Sequence, residues 1–282
     1  MYTIGLTSWS EHVSLIKNIH PSLTLSEYSA FFPTVEIDTF FYGIPSVEAV
    51  SNWLNQVPKN FKFVVKANSV LTLHNNQESS SKKIKETLQK FKTAINPLLE
   101  TNSLKTILLQ FPPFFEATKQ NIAYLIYLRN EFTGLPLSIE FRNASWFADS
   151  TFNSLVLFCQ TKQITLVTVD EPQLGKKSVP FKTIVTNPKL LLVRLHGRNK
   201  AGWLHKGADW RKFRTLYNYS NDELLDLQAK LVPIENNTKE ICIIFNNNSG
   251  GHAANNALSL KKLLNIEFDN LNKRPPQQLD FF

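Results

Sequence analysis

The sequence predicts an α/β fold, a single eight-stranded (βα)8 barrel of the TIM type. Eight short β-rich apolar runs alternate with longer stretches of helical period, which is typical of a parallel sheet with helices between its strands. Eight strands within about 250 residues, with no repeat of fixed period and no linker, favour a closed barrel, and an open doubly wound sheet is the alternative. The barrel is predicted over residues 1–267 and an extended C-terminal tail over residues 268–282.

Several of the eight runs are apolar on both faces. A strand has this pattern when helices cover the sheet outside and side chains fill the barrel inside. The predicted strands are Tyr2 to Leu6, Thr34 to Asp38, Phe61 to Lys66, Thr106 to Gln110, Leu137 to Glu140, Ile164 to Asp170, Leu190 to His196 and Ile241 to Asn246.

The helices between the strands carry their own start signals. The segments that begin at Thr24 and Ser220 each place a glutamate three residues after a hydroxyl side chain, as in a capping box. Apolar residues recur at spacings of three and four from Ile84 to Leu98, so this helix has one apolar face. The link from Glu171 to Lys189 contains three prolines and no helical period, and we predict a long loop there.

The composition is that of a folded protein and excludes disorder, collagen and coiled coil as the main state, since 43% of the 282 residues are hydrophobic and 19% charged. No stretch is apolar enough for a membrane span and the N-terminus lacks a signal-peptide pattern, so a cytoplasmic location is predicted. The two cysteines, Cys159 and Cys242, lie in apolar segments, which excludes a disulfide scaffold. A net charge of +8 favours anionic partners.

Charged and polar side chains collect at the carboxyl ends of the predicted strands, where barrel enzymes have their active sites. Because charges there are costly unless they are paired or used, the clustering predicts a functional site. The candidate catalytic residues are Glu36, Asp38, Lys66, Glu140, Asp170 and His196, and the candidate substrate-binding residues are Tyr42, Gln110, Arg142, Trp146, Arg194, Arg198, Asn246, Asn247 and Gly250. The alternatives are a structural ion pair between Glu36 and Lys66 and a turn cap at Asp170.

The loops after the seventh and eighth predicted strands indicate a phosphate site. In eight-stranded barrels these loops frequently bind phosphate against a helix N-terminus. Here one loop carries Arg198, whose guanidinium suits phosphate oxygens, and the other carries Asn247 and the glycines Gly250 and Gly251. The alternative is a pair of turn-rich loops without a ligand. The cofactor is left open, and if a divalent metal binds, its predicted ligands are Glu36, Glu140, Asp170 and His196.

Eight short motifs lie along the chain, and they begin at Val35, Gln110, Glu140, Val169, Val193, Tyr217, Phe245 and Asn255. Together they resemble the YecE-like family, also called domain of unknown function 72. The likeness covers roughly Ile4 to Leu264. It implies an eight-stranded α/β barrel and a family without an established reaction. The family often has histidine directly after threonine beyond the third strand, whereas Leu73 separates Thr72 from His74 here, so His74 is left outside the predicted site.

Three functions are compatible with this pattern. The first is a hydrolase, lyase or isomerase that acts on an anionic, phosphate-bearing substrate at the carboxyl-terminal face of the barrel. The second is a nucleic-acid-processing or nucleic-acid-binding protein, in which aromatic residues near the strand ends stack on bases. The third is a non-catalytic adaptor whose barrel presents its tail to a partner. The aromatic residues concerned are Trp9, Phe41, Tyr42, Trp146 and Trp203.

The end of the chain carries a short motif beyond two prolines that forbid helix continuation. The segment with Gln278, Leu279, Phe281 and Phe282 resembles the peptides by which bacterial replication and repair proteins bind the sliding clamp. In such peptides the glutamine makes polar contacts and the leucine and final aromatic residue fill an apolar pocket. The alternative is that these apolar residues fold back against the barrel.

Overall fold

Parallel strands form one nearly closed, TIM-like barrel in the computed structural model, which describes residues 1–16, 22–74 and 80–274. The sheet order is β6-β5-β4-β3-β2-β1-β9-β8-β7, and every paired strand runs parallel to its neighbour. The strands are β1 (Tyr2–Thr7), β2 (Thr34–Ile37), β3 (Lys62–Lys66), β4 (Leu104–Gln110), β5 (Leu137–Glu140), β6 (Ile164–Leu166), β7 (Thr168–Asp170), β8 (Leu191–Leu195) and β9 (Ile241–Phe245).

The predicted count of eight strands is wrong, because the sheet in the described residues has nine. The predicted sixth strand, from Ile164 to Asp170, is divided at Val167 into β6 and β7. Strand β6 pairs with β5 and strand β7 pairs with β8. One extended segment therefore supplies both of the strands that end the sheet order. Each half therefore has a partner on one side only, whereas an undivided strand would pair on both sides along its whole length.

The helices begin where the capping signals lie. Thr24 with Glu27 and Ser220 with Glu223 form the two predicted capping boxes. The apolar stripe predicted from Ile84 to Leu98 is the buried face of the longest helix. The helices are α1 (Leu25–Tyr28), α2 (Thr39–Tyr42), α3 (Val47–Leu54), α4 (Ser81–Glu100), α5 (Lys119–Glu131), α6 (Asp149–Thr161), α7 (Lys200–Leu204), α8 (Trp210–Arg214), α9 (Asn221–Leu231) and α10 (His252–Leu263).

The core lies on both sides of the strands. Every residue of β2, β5, β8 and β9 is buried, as the apolar pattern on both faces predicts. Cys159 and Cys242 are buried and free. Among the helices of the described ranges, none has both the length and the hydropathy that crossing a membrane requires.

The segment after α10 packs along the amino-terminal side of the barrel as far as Arg274. The side-chain amide of Asn272 donates hydrogen bonds to the Ser29 hydroxyl (2.6 Å) and to the Gln56 carbonyl (2.9 Å). The Arg274 guanidinium lies 5.3 Å from the centre of the Phe31 ring. The proposed clamp motif, Gln278 to Phe282, lies outside the described residues.

Candidate functional site

A fully buried arginine ties several strands together inside the barrel. Arg194 of β8 donates from Nε to Glu36 Oε2 of β2 (2.8 Å) and from Nη2 to the other oxygen of that carboxylate. Its Nη1 pairs with Glu140 of β5 and donates to Gln110 Oε1 of β4 (3.0 Å). The side chains of Arg194, Glu36 and Glu140 have no exposed surface. Because a guanidinium carries five N–H donors in a planar fork, one side chain satisfies both carboxylates and the amide.

Glu140 also links this buried cluster to the residues above it. Its Oε1 accepts a hydrogen bond from Arg142 Nη1 (2.9 Å) and lies 3.1 Å from His196 Nε2. The Asn246 side-chain nitrogen lies 2.8 Å from His196 Nδ1. Since an amide nitrogen only donates, Nδ1 is the acceptor and Nε2 carries the hydrogen that is donated to Glu140. Both ring nitrogens of His196 are therefore engaged.

The two carboxylates that share Arg194 differ in acidity. Burial raises the pKa of Glu36 to about 7, against the opposing charge of Arg194 and with a further increase from Asp38. For Glu140 burial acts in the same direction, but Arg194, His196 and Arg142 together hold its pKa well below the usual range. Burial and the neighbouring Arg142 lower the pKa of His196 to about 3, so its imidazole is neutral at physiological pH. Glu140 is thus the ionised partner and Glu36 the weaker acid.

A cavity of about 360 Å³ opens above this cluster at the carboxyl ends of the strands, and we call it the carboxyl-end cavity. Asp38 and Lys66 stand on its wall with their charged atoms 3.4 Å apart, and Lys66 Nζ lies 4.6 Å from the centre of the Phe41 ring. The predicted site residues that line it are Asp38, Tyr42, Lys66, Gln110, Arg142, His196 and Asn246. Glu36, Glu140 and Arg194 are buried beside these residues and do not line the cavity.

Two short helices that follow β8 supply a further wall of the cavity, of which the sequence analysis predicts only Trp203. Two guanidinium groups lie near the Trp203 ring of α7, that of Arg142 at 4.9 Å and that of Arg214 at 4.0 Å from the ring centre. Gly202 allows this packing, since a Cβ there would meet the Phe213 carbonyl oxygen of α8 at 2.1 Å. The alternation of aromatic and basic residues over 210–214 is the signal that would have identified this wall.

Arg214 has fewer neutralising contacts than the neighbouring Arg142, which pairs with Glu140 and Glu171. Its Nε is buried without a hydrogen-bond partner, and none of the described carboxylates forms an ion pair with it. Burial, followed by the charge of Arg142, lowers the pKa of Arg214 to about 10. A half-buried cation beside a second cation favours the binding of an anionic ligand.

His74 also lines the carboxyl-end cavity, although the sequence analysis places it outside the predicted site. The residue before it, Leu73, adopts a left-handed conformation with φ of 58°, and this turn brings the Thr72 hydroxyl to 2.9 Å from His74 Nδ1. Burial and the charges of Lys66, Arg142 and Arg211 lower the pKa of His74 to about 4. With this turn at Leu73, a neutral imidazole lies on the cavity wall.

Asp170 and Arg198 meet each other away from the cavity wall. Arg198 Nε lies 3.0 Å from both oxygens of Asp170, and the Tyr219 hydroxyl donates to the same carboxylate at 2.6 Å. Arg198 Nη1 also pairs with Glu223 at the start of α9 (3.2 Å). This network fixes the long connection after β8 to the helix that follows it.

Two further predicted binding residues, Asn247 and Trp146, have structural partners. Asn247 is fully buried and donates to the Tyr217 carbonyl and to Asn256 Oδ1, each at 2.8 Å. Trp146 is buried, stacks on Phe141 and donates from its indole nitrogen to the Phe115 carbonyl (2.8 Å). Neither Asn247, Trp146 nor Gly250 lines the carboxyl-end cavity.

The proposed metal ligands do not form a metal site. Arg194 lies between Glu36 and Glu140, and Asp170 belongs to the separate network with Arg198. Throughout residues 1–16, 22–74 and 80–274, no group of three histidine, cysteine, aspartate or glutamate side chains is arranged to hold a metal ion. The charge that a metal would supply between the two glutamates is supplied by the guanidinium.

The sequence and the fold both match one group of known proteins. The family described as "Protein of unknown function DUF72" matches residues 3–279. The chain belongs to this family. The UPF0759 protein YunF of Bacillus subtilis is 38% identical over 289 residues, which span all of both chains.

Solved structures of the DUF72 family share the fold. A DUF72 protein of Enterococcus faecalis is 44% identical, with a TM-score of 0.91 and coverage of 99% of this chain and 100% of that one. A DUF72 protein of Thermotoga maritima is 32% identical, with a TM-score of 0.80 and coverage of 94% and 100%. The resemblance inferred from the sequence motifs is confirmed.

Proposed function

We propose that this DUF72 protein is an enzyme that binds a small phosphate-bearing substrate in the carboxyl-end cavity and acts on it by hydrolysis, elimination or isomerisation. The observation that carries this proposal is the charge of the cavity wall. Five cationic side chains and two carboxylates, Glu11 and Asp38, line the cavity. Lys66 pairs with Asp38 and Arg142 pairs with two buried glutamates behind the wall, so three of the cations form no ion pair with a described carboxylate. The cations are Lys66, Arg142, Arg211, Lys212 and Arg214.

The two kinds of cation suit the oxygens of a phosphate group. Guanidinium groups bind phosphate through paired N–H donors, and lysine contributes a compact charge. The Nε of Arg214 is buried and has no hydrogen-bond partner. A phosphate oxygen that accepts a hydrogen bond from this Nε offsets the cost of burying it unpaired. The substrate's phosphate therefore binds beside Arg214 and Arg142, above the neutral imidazole of His196.

His74 is the proton-transfer residue that this geometry favours. Its imidazole is neutral because burial, and then the charges of Lys66, Arg142 and Arg211, lower its pKa to about 4. A bound phosphate offsets those charges, so it raises the pKa of His74 and makes it a stronger base when substrate is present. Hydrogen bonds with Glu140 and Asn246 orient the imidazole of His196, which lies at the base of the cavity.

The test is a titration of the full chain with a phosphate monoester such as glycerol phosphate, followed by calorimetry. Arg214→Gln is expected to weaken binding about tenfold or more, because it removes a cation without an ion pair whose buried Nε has no hydrogen-bond partner. Lys85→Gln removes one exposed charge from α4 and is the matched control. Equal affinities for the two variants, or no binding at millimolar concentration, contradict the proposal.

A reaction is tested separately from binding. Phosphate compounds that bind are incubated with the wild type and with His74→Gln, and the products are identified by phosphorus NMR. We expect turnover by the wild type and a loss of about a hundredfold or more for His74→Gln with unchanged binding. Binding without any turnover favours the non-catalytic adaptor.

The rim of the cavity favours nucleic acid as the second candidate substrate. Tyr42 is 64% exposed and Trp210 is 39% exposed, and the Arg211 guanidinium lies within 5.4 Å of both ring centres. Exposed aromatic rings beside arginines are the surface on which unpaired bases stack. Binding of a single-stranded oligonucleotide that falls steeply with salt and is lost in Tyr42→Ala/Trp210→Ala supports this candidate, and unchanged binding in that double variant opposes it.

Clamp binding stays a prediction, because the motif lies outside the described residues. We propose that the segment with Gln278, Leu279, Phe281 and Phe282 binds a bacterial sliding clamp with micromolar affinity, about −8 kcal/mol. Titration of a labelled peptide of residues 272–282 against the clamp tests this. No binding at high micromolar concentration, or equal binding after Gln278→Ala and Phe282→Ala, refutes it.

A further inference from the structure

A second cavity, of about 650 Å³, opens at the opposite end of the barrel, and we call it the amino-end cavity. Its wall is built from residues at or next to the starts of strands β3, β4, β5, β6, β8 and β9. Lys105 at the start of β4 lines this cavity, whereas Gln110 at the end of the same strand lines the carboxyl-end cavity. Five residues of strand separate the two by about 17 Å, so they are distinct sites. The strand-start residues are Lys62, Lys105, Leu137, Thr165, Leu190 and Glu240.

The amino-end cavity carries a large excess of positive charge. Glu240 is the one carboxylate on its described wall, and it pairs with Lys105, whose side chain is only 5% exposed. Lys105 Nζ also donates to the Thr3 hydroxyl at 3.1 Å. The other four cations form no ion pair with any described carboxylate: Lys62, Arg129, Lys162 and Lys189.

Two of these cations are held close to the protein interior. Arg129 is 9% exposed and donates to the carbonyl oxygens of Leu135 (3.1 Å) and Phe132. Lys62 Nζ donates to the Asn102 carbonyl. Burial lowers the pKa of Arg129, and burial together with the charge of Lys105 lowers that of Lys62. Their cationic forms therefore carry an electrostatic cost that a bound anion removes.

A purely structural role explains only part of this arrangement. Arg129 caps the carboxyl end of α5 through its two carbonyl contacts, which is a common position for arginine. This role uses two of the five N–H donors of its guanidinium. It does not explain why Lys62, Lys162 and Lys189, which come from three different parts of the chain, line the same cavity.

We propose that the amino-end cavity binds a small polyphosphate, an anion with two or more linked phosphate groups. Four cations without an ion pair line one cavity, so a ligand with several negative charges neutralises them better than a ligand with one. Guanidinium and ammonium groups both bind phosphate oxygens, and the neutral side chains of Gln163 and Asn187 add donors on the same wall. The volume of about 650 Å³ exceeds the roughly 30 Å³ that one water occupies by enough to hold several phosphate groups.

Calorimetric titration of the full chain with inorganic pyrophosphate at low ionic strength tests the proposal. The double variant Lys62→Gln/Lys189→Gln is expected to weaken binding about tenfold or more, because it removes two of the unpaired cations. Lys82→Gln/Lys85→Gln removes the same charge from exposed positions on α4 and is expected to bind like the wild type. Arg211→Gln/Lys212→Gln removes cations from the carboxyl-end cavity and is expected to leave this binding event intact.

The exposed Lys162 provides a variant that does not threaten the fold. Lys162→Glu reverses a charge on the cavity rim, and we expect it to lower pyrophosphate affinity about tenfold or more without changing the melting temperature. Pyrophosphate that binds equally well to Lys162→Glu overturns the proposal. So does an equal loss in the α4 control, which would show attraction by net charge alone, or a loss confined to Arg211→Gln/Lys212→Gln.

Discussion

The pKa of Glu36 leads to a prediction about stability that is opposite in sign to the one expected for an ordinary ion pair. Its carboxylate contacts Arg194 through both oxygens, and an ion pair of this kind normally lowers the pKa of an acid. Here burial is the larger effect, and the pKa of Glu36 rises from 4.5 to about 7. Glu36→Gln keeps the shape of the side chain and removes its titration.

The size of the effect follows from the difference between the two pKa values. One pKa unit corresponds to about 1.4 kcal/mol, so Glu36 costs the folded protein about 3 kcal/mol once it is ionised. A group whose pKa is higher in the folded than in the unfolded state contributes its full stability below the unfolded value and loses it as the pH rises through the folded value. The free energy of unfolding of the wild type, relative to Glu36→Gln, therefore falls from about pH 4.5 to about pH 7 and is level above that.

Urea unfolding at a series of pH values from about 5 to about 8 measures this difference, with tryptophan fluorescence as the signal. Glu140→Gln provides the contrast within the same cluster. Because the pKa of Glu140 lies below its usual range, its contribution is lost only under more acid conditions. The difference between the wild type and Glu140→Gln is thus expected to stay level across the series.

Glu86→Gln, on the exposed face of α4, is the surface control and is also expected to give a level difference. A level difference for Glu36→Gln refutes the reasoning, since it shows that the carboxylate titrates alike in both states. A difference that grows with pH refutes it more strongly, because attraction to Arg194 then exceeds the cost of burial.

Three further variants test other contacts. Arg194→Met is expected to lower the free energy of unfolding by about 3–5 kcal/mol at neutral pH, because two buried carboxylates lose their counter-charge, and a loss under about 1 kcal/mol in urea unfolding contradicts this. Tyr219→Phe removes the hydroxyl that donates to Asp170 and accepts from the Gly197 N–H, and we expect thermal unfolding to show a loss of about 1–3 kcal/mol; no loss means that water replaces the hydroxyl. Gly202→Ala forces α7 away from the Phe213 carbonyl, so it is expected to weaken glycerol phosphate binding in calorimetry, whereas Gly43→Ala, with open space around its Cβ, is the control and binds normally.

The positions of the strands and of the first helix turns could be predicted from the sequence because their causes are local. Apolar runs with strand propensity lie at the observed strands within two residues at each end, apart from the divided one. The capping boxes at Thr24 and Ser220 depend on residues three positions apart, and both form. Polar residues after the strands of a parallel barrel meet at one end of it, which is why seven of the predicted site residues line one cavity.

The pairing of the charges could not be predicted in this way, because it depends on distances across the barrel. Strand register places Arg194 between Glu36 and Glu140, and it leaves Asp170 to Arg198 and Tyr219. No sequence spacing encodes those distances. A carboxylate at a strand end therefore has the same sequence signature whether it lies on the cavity wall or is buried beside it.

What the sequence by itself determined is the alternation of strands and helices, the family motifs and the end of the barrel at which the polar residues gather. The tertiary structure alone decided the division at Val167, the return of α7 and α8 over the cavity, and the left-handed turn at Leu73 that keeps His74 on its wall. The physical reason is the range of the interactions. Helix caps and apolar periodicity depend on residues that are near neighbours in the chain. The division of the sixth predicted strand, the wall formed by α7 and α8, and the charge pairs all require segments far apart in sequence to pack together first.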